Sequence, residues 1–219
     1  MMGSPKVGGT ALIIGSILLL VGGILHPEFE VEDIDALARS ITDNIIAQYA
    51  SHTMFILSST FLMLGFLTLY GVLAQKDERI YSLPALLSLG LFTVLLIVPS
   101  LMDGFLTPIL AQNYLAASAE AKESAAMILD YNILLLLTLT AASMLALAVS
   151  VTLLSASLVK AKLYNKWFAW VGVALGLVGV LGYIGGIFGP YWLSPVVWLY
   201  FFIFIIWFLV LGIFLYRGR

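Results

Sequence analysis

The chain has 219 residues, 62% of them hydrophobic and only 10% charged, whereas charged residues make up about a quarter of a typical soluble domain. A soluble globular domain is excluded, because the apolar residues come in long charge-free runs rather than at amphipathic spacing. With no cysteine, disulfides, thiolate metal sites and thiol redox chemistry are excluded as well.

The first apolar run, residues 7–25, is long enough to cross a hydrocarbon core of about 30 Å at 1.5 Å per residue. His26-Pro27 closes it, since the residue before proline is pushed out of the helical region. Lys6 suggests a signal-peptide n-region, but no small-x-small cleavage site precedes His26, so the run is read as a span. Residues 29–50 are polar and acidic, yet Ile34, Leu37, Ile41, Ile45 and Tyr49 recur at three- and four-residue steps. That spacing predicts a short amphipathic helix on the membrane surface.

Further spans are predicted over 52–74 and 81–102, joined by the polar turn Lys76-Asp77-Glu78-Arg79. Pro99 cannot donate to the carbonyl of Leu95 and should kink the third span just before Asp103. The stretch from Asp103 to Asp130 is too long for a structureless connection. Its Thr107-Pro108 pair reads as a cap and first-turn proline, so one or two more interfacial helices are expected there. The fourth span is placed over 131–159, and the charge-free stretch from Trp167 to Tyr216 holds two more, over 167–187 and 195–216, divided at Gly189-Pro190 through Ser194-Pro195. The expectation is an all-α, polytopic membrane bundle: one domain of six transmembrane helices with interfacial helices on the external side.

Six spans put Lys6, Lys76, Arg79, Lys160, Lys162, Lys166, Arg217 and Arg219 on one side and only Arg39 and Lys122 on the other. The basic side is cytoplasmic by the positive-inside rule, which places both termini in the cytoplasm of a cell-membrane protein. All acids but Asp77 and Glu78 then lie outside, and Tyr183, Phe188, Tyr191, Trp192 and Trp198 form an outer aromatic belt. Gly8, Gly15 and Gly22 in the first span, and Gly172, Gly176, Gly179, Gly182 and Gly186 in the fifth, mark faces where helices approach closely in lipid. Ser59, Thr68, Thr138, Thr140, Ser143 and Ser150 are expected to bond between helices or back to their own carbonyls.

Both histidines fall on the external side, His26 at the exit of the first span and His52 at the entrance of the second. Asp103 ends the third span and Asp130 begins the fourth. These four polar groups are placed around the outer mouth of the bundle. Two imidazoles and a carboxylate suit zinc, iron or copper, and Met102 adds a soft ligand for copper. Alternatively His26 and His52 are axial ligands of a b-type haem, or the four residues are solvated helix ends with no ligand at all.

No ionisable residue lies at the centre of a span, which disfavours ion-coupled transport. No phosphate-cradling loop, HExxH or Gly-x-Ser-x-Gly is present, and two histidines are too few for the seven-span zinc hydrolases.

The glycine-bearing first helix ending in His26-Pro27, the acidic segment after it, and a second helix opening with Tyr49 and His52 resemble an uncharacterised family of small six-span prokaryotic membrane proteins. The likeness extends to the last two helices, where Trp167 to Gly186 precede an aromatic helix with a basic tail. The resemblance implies topology and a pairing of the histidines, and no activity. Three readings remain open: a non-catalytic accessory or structural subunit that packs against a membrane partner or a second copy of itself; a metal- or haem-binding membrane protein; and a channel or permease for a neutral solute. The lipid bilayer is the partner common to all three. No nucleic-acid partner and, on balance, no enzymatic activity are expected.

Overall fold

A computed structural model describes residues 4–27, 33–76, 78–186 and 195–218. Helix α1 (Pro5–Leu25) opens on Ser4, whose hydroxyl accepts from the Val7 amide at 3.4 Å, with Pro5 in the first turn. It stops where His26, held extended before Pro27, cannot continue it. Asp33 caps α2 (Ile34–Asp43) by accepting from the Ala36 amide at 2.7 Å. The chain then continues through α3 (Ile45–Ala74), α4 (Arg79–Leu101), a π turn over Met102–Leu106, α5 (Thr107–Ala116), α6 (Lys122–Lys160), α7 (Lys166–Gly186) and α8 (Pro195–Arg217). The described residues contain no strand, and six helices are long and apolar enough to cross a membrane. The all-α bundle follows directly from the charge-free runs.

Several boundaries differ from the sequence reading. The amphipathic segment breaks at Asn44, so that residues 45–50 belong to α3 rather than to a surface helix. Helix α6 starts at Lys122, well before the expected 131, because Lys122, Glu123 and Asp130 exclude this stretch from a span but not from a helix, and it is rich in helix formers. Thr107 does not cap a separate helix. Its flanking residues are helical, and its hydroxyl donates back to the Met102 carbonyl at 2.9 Å. The expected break at 189–195 and the belt residues Phe188, Tyr191 and Trp192 lie outside the described residues, as does the side chain of Trp198.

Helix α1 packs between α3 and α8, α3 against α4, and α6 against both α4 and α7. The glycines of α1 explain its closeness to α3. A Cβ on Gly15 would stand 2.9 Å from Leu62 Cγ, and one on Gly22 would stand 2.8 Å from the Phe55 ring. Around this contact the main core gathers Leu12, Leu19, Leu62, Phe92, Phe204 and Phe208, all essentially inaccessible. Hydroxyls satisfy themselves in the two expected ways. Ser59, Thr68 and Thr138 donate to carbonyls four residues back, whereas Ser150 donates across to Ala85 and Ser58 to Gly15, each at 2.8 Å.

A second, smaller core lies where α2, α5 and the first turns of α6 meet, around Leu37, Ile41, Ala111, Tyr114 and Leu129. A polar latch closes its edge. Asp35 accepts from the Tyr114 hydroxyl at 2.7 Å and pairs with Lys122 at 3.0 Å.

Candidate metal centre

Three chain segments deliver the polar residues of the site. His26 is the first residue beyond α1, His52 lies two turns into α3, and Asp103 is carried by the π turn. Pro99 and Pro108 bracket this turn, each removing an N–H from the regular ladder of one helical run. The backbone there comes so close to α3 that a Cβ on Gly104 would stand 2.7 Å from His52 Cγ.

The result is convergence. His52 Nε2 lies 3.1 Å and His26 Nε2 3.4 Å from the same oxygen, Oδ2 of Asp103. The two imidazole centroids are 5.1 Å apart, and Phe55 packs edge-on to His52 and face-on to His26. Side-chain exposure is 3% for His52, 15% for Asp103 and 18% for His26, so the group is sheltered but reachable on the His26 side.

The other ring nitrogens fix the tautomers. His52 Nδ1–H donates to the Gln48 carbonyl at 2.8 Å and lies 3.2 Å from Ser51 Oγ. His26 Nδ1–H donates to the Pro27 carbonyl at 3.0 Å. A carbonyl cannot donate, so each Nδ1 carries a proton, and in the neutral ring each Nε2 then turns a lone pair toward the carboxylate. Acceptors facing one another at these distances need a proton or a metal ion between them. An outer N–H bonded to a backbone carbonyl is also the common support of a metal-bound histidine.

The spacing suits a metal. Bonds of 2.0–2.1 Å in a tetrahedron place ligand atoms roughly 3.3 Å apart, and the two nitrogen-to-oxygen separations of 3.4 and 3.1 Å fall on either side of that value. All three donor atoms lie within 4.8 Å of one another, and among the described residues this is the convergent His/Asp/Glu group. A bis-imidazole haem would place the two rings on opposite faces of a porphyrin, whereas here both direct Nε2 at one carboxylate oxygen.

Of the other residues singled out in the sequence, Asp130 is exposed on α6 and does not belong to this group. Met102 precedes Asp103 on the π turn and contributes its carbonyl, which accepts from Thr107. Nothing local in the sequence marks Gly104 as lying against His52, or the hydrogen bond from Asn132 to Thr107 beside the π turn. Asn132 carried a signal, an amide within an apolar run, where hydrocarbon makes an unpaired polar group costly. Comparison with protein-family models, with curated proteins and with solved structures finds no match to the chain.

Proposed function

We propose that the chain is a multi-pass membrane protein that binds a divalent first-row transition ion, zinc or iron(II), through His26, His52 and Asp103. The observation that carries this reading is the convergence of two Nε2 atoms on one carboxylate oxygen, at 3.1 and 3.4 Å, with a ligand atom of each residue within 4.8 Å of the others. Two imidazoles and one carboxylate are a borderline donor set, suited to zinc and to non-haem iron(II) rather than to calcium or magnesium. Three protein ligands leave coordination open to a ligand from solution.

The Lys and Arg bias supports an orientation with both termini in the cytoplasm, which puts the site at the outer face. His52 lies 22 residues from Ala74 at the opposite end of α3, or about 33 Å along the helix. With Ala74 at the inner boundary of the hydrocarbon, that length would bring His52 to the outer one. The acidic side chains assigned to the same face favour cations near the site.

Elemental analysis of the detergent-purified protein, followed by titration of the metal-free form with Co2+, tests the reading. One equivalent of zinc or iron and ligand-field absorption bands from Co2+ are expected. Replacing His52 or Asp103 by Ala should weaken Co2+ by more than the roughly 10–100-fold typical of outer-shell changes. Wild-type protein with neither stoichiometric metal nor such bands would leave the three residues as a hydrogen-bonded ion-pair cluster and end the metal reading.

A further inference from the structure

We infer that Thr107 and Asn132 are positioning residues of this site, holding the 102–106 segment in its π turn and thereby setting Asp103 against the two histidines. The metal reading enters this inference only through its affinity test.

The hydrogen bonds form a chain with one direction. The Met102 carbonyl receives both the backbone N–H of Thr107, five residues on, and the Thr107 hydroxyl at 2.9 Å. A threonine hydroxyl has one proton. Once that proton is given to Met102, the oxygen accepts, and Asn132 Nδ2 donates to it at 2.8 Å from α6. Thr107 and Asn132 are both buried, at 1% and 6% exposure, so water does not replace either bond.

The geometry explains what the chain of bonds does. In a regular helix the Thr107 amide would bond to the Asp103 carbonyl, four residues back; here it reaches Met102, five back, and one extra residue is wrapped into the turn. A return to α pairing would turn Asp103 by about 100° relative to α5, the rotation per residue of an α-helix. Helix α5 is itself held against α2 and α6 by the small core and the Asp35 latch. The rotation would therefore fall on Asp103 and withdraw its carboxylate from the α1–α3 side. Without the hydroxyl, Met102 keeps only the backbone bond and the Asn132 amide is left buried without its acceptor. Thr107→Val keeps the shape and removes the hydroxyl; Thr107→Ser keeps the hydroxyl.

The test uses full-length protein in micelles with 15N-labelled histidine, free of metal, with Asp103→Asn as the reference for a His52 ring that has lost its carboxylate. Thr107→Val and Asn132→Leu should move the His52 Nε2 resonance toward the Asp103→Asn position, while Thr107→Ser stays with wild type. In the Co2+ titration the first two variants should bind roughly 10–100-fold more weakly, as for other outer-shell partners, with Thr107→Ser near wild type. The two substitutions lie on different helices, so either one that folds carries the test. A His52 resonance unchanged in the folded Thr107→Val or Asn132→Leu protein overturns the inference, whatever the metal result. A wild type that binds no Co2+ sinks the metal reading alone, because the resonance still reports whether Asp103 is held in place.

Discussion

Asp103 reaches His52 because the residue after it has no side chain. A methyl group at position 104 would press on the imidazole itself, with His52 Cγ 2.7 Å from the new carbon, and neither helix can yield without disturbing the contact of His52 with Asp103. Gly104→Ala should therefore destabilise the protein by roughly 1–3 kcal/mol, the usual cost of overpacking, and also lower Co2+ affinity. Thermal unfolding of the metal-free protein and the Co2+ titration measure the two effects; an unchanged affinity would mean that the π turn does not press on His52. The kinds of residue in the site are legible in the sequence, as two histidines and two aspartates at expected helix ends, but that Asp103 and not Asp130 joins the histidines is not. Nor are their supports. Gly104 is one glycine among nineteen, and nothing local distinguishes it. The partnership of Thr107 with Asn132 spans 25 residues and exists only in the π register, which no periodicity rule anticipates. Met102 drew attention for its sulfur, whereas its place in the structure is that of a carbonyl.

At the level of elements, the long apolar helices were legible because hydrocarbon imposes length and charge exclusion on every span. The polar pieces between them were less so, because their boundaries depend on contacts between distant segments. Helix α2 sets Ile34, Leu37, Ala38 and Ile41 against the small core, and the latch of Asp35, Tyr114 and Lys122 closes its edge. The Tyr114 hydroxyl, and then the Lys122 ammonium, hold the Asp35 carboxyl below its ordinary value. A carboxylate whose folded value is depressed stabilises the fold in full above its unfolded value, about 3.9, and the contribution fades as pH falls through the lower folded value. Amide exchange in α2, corrected for intrinsic rates, should therefore be flat from pH 7 to about 5 and rise only below about 4. In Asp35→Asn, protection of α2 should be lower at neutral pH and show no such acid-induced loss. Equal protection of wild type and Asp35→Asn at pH 7 would show that the apolar contacts around Ile41 and Leu129 hold α2 without the latch.

At the scale of the whole molecule, helix length limits how much of α6 can lie in hydrocarbon. Helix α6 has 39 residues, about 58 Å, nearly twice the thickness of a hydrocarbon core. If Lys160 marks the cytoplasmic boundary, the first turns of α6 stand beyond the opposite one, together with α2, α5 and the small core that joins them. The positive-inside rule is the ground for expecting Lys160 in the cytoplasm and the α5–α6 connection outside. The absence of native cysteine makes this directly testable, since each introduced thiol is the only one present. Ser118→Cys in the α5–α6 connection and Gln75→Cys in the α3–α4 turn are both at exposed positions. In intact cells a membrane-impermeant maleimide should label Ser118→Cys and spare Gln75→Cys until the membrane is opened. The reverse pattern would place His26, His52 and Asp103 at the cytoplasmic face. Labelling of both from outside would mean that the chain crosses the bilayer fewer times than its six apolar helices allow.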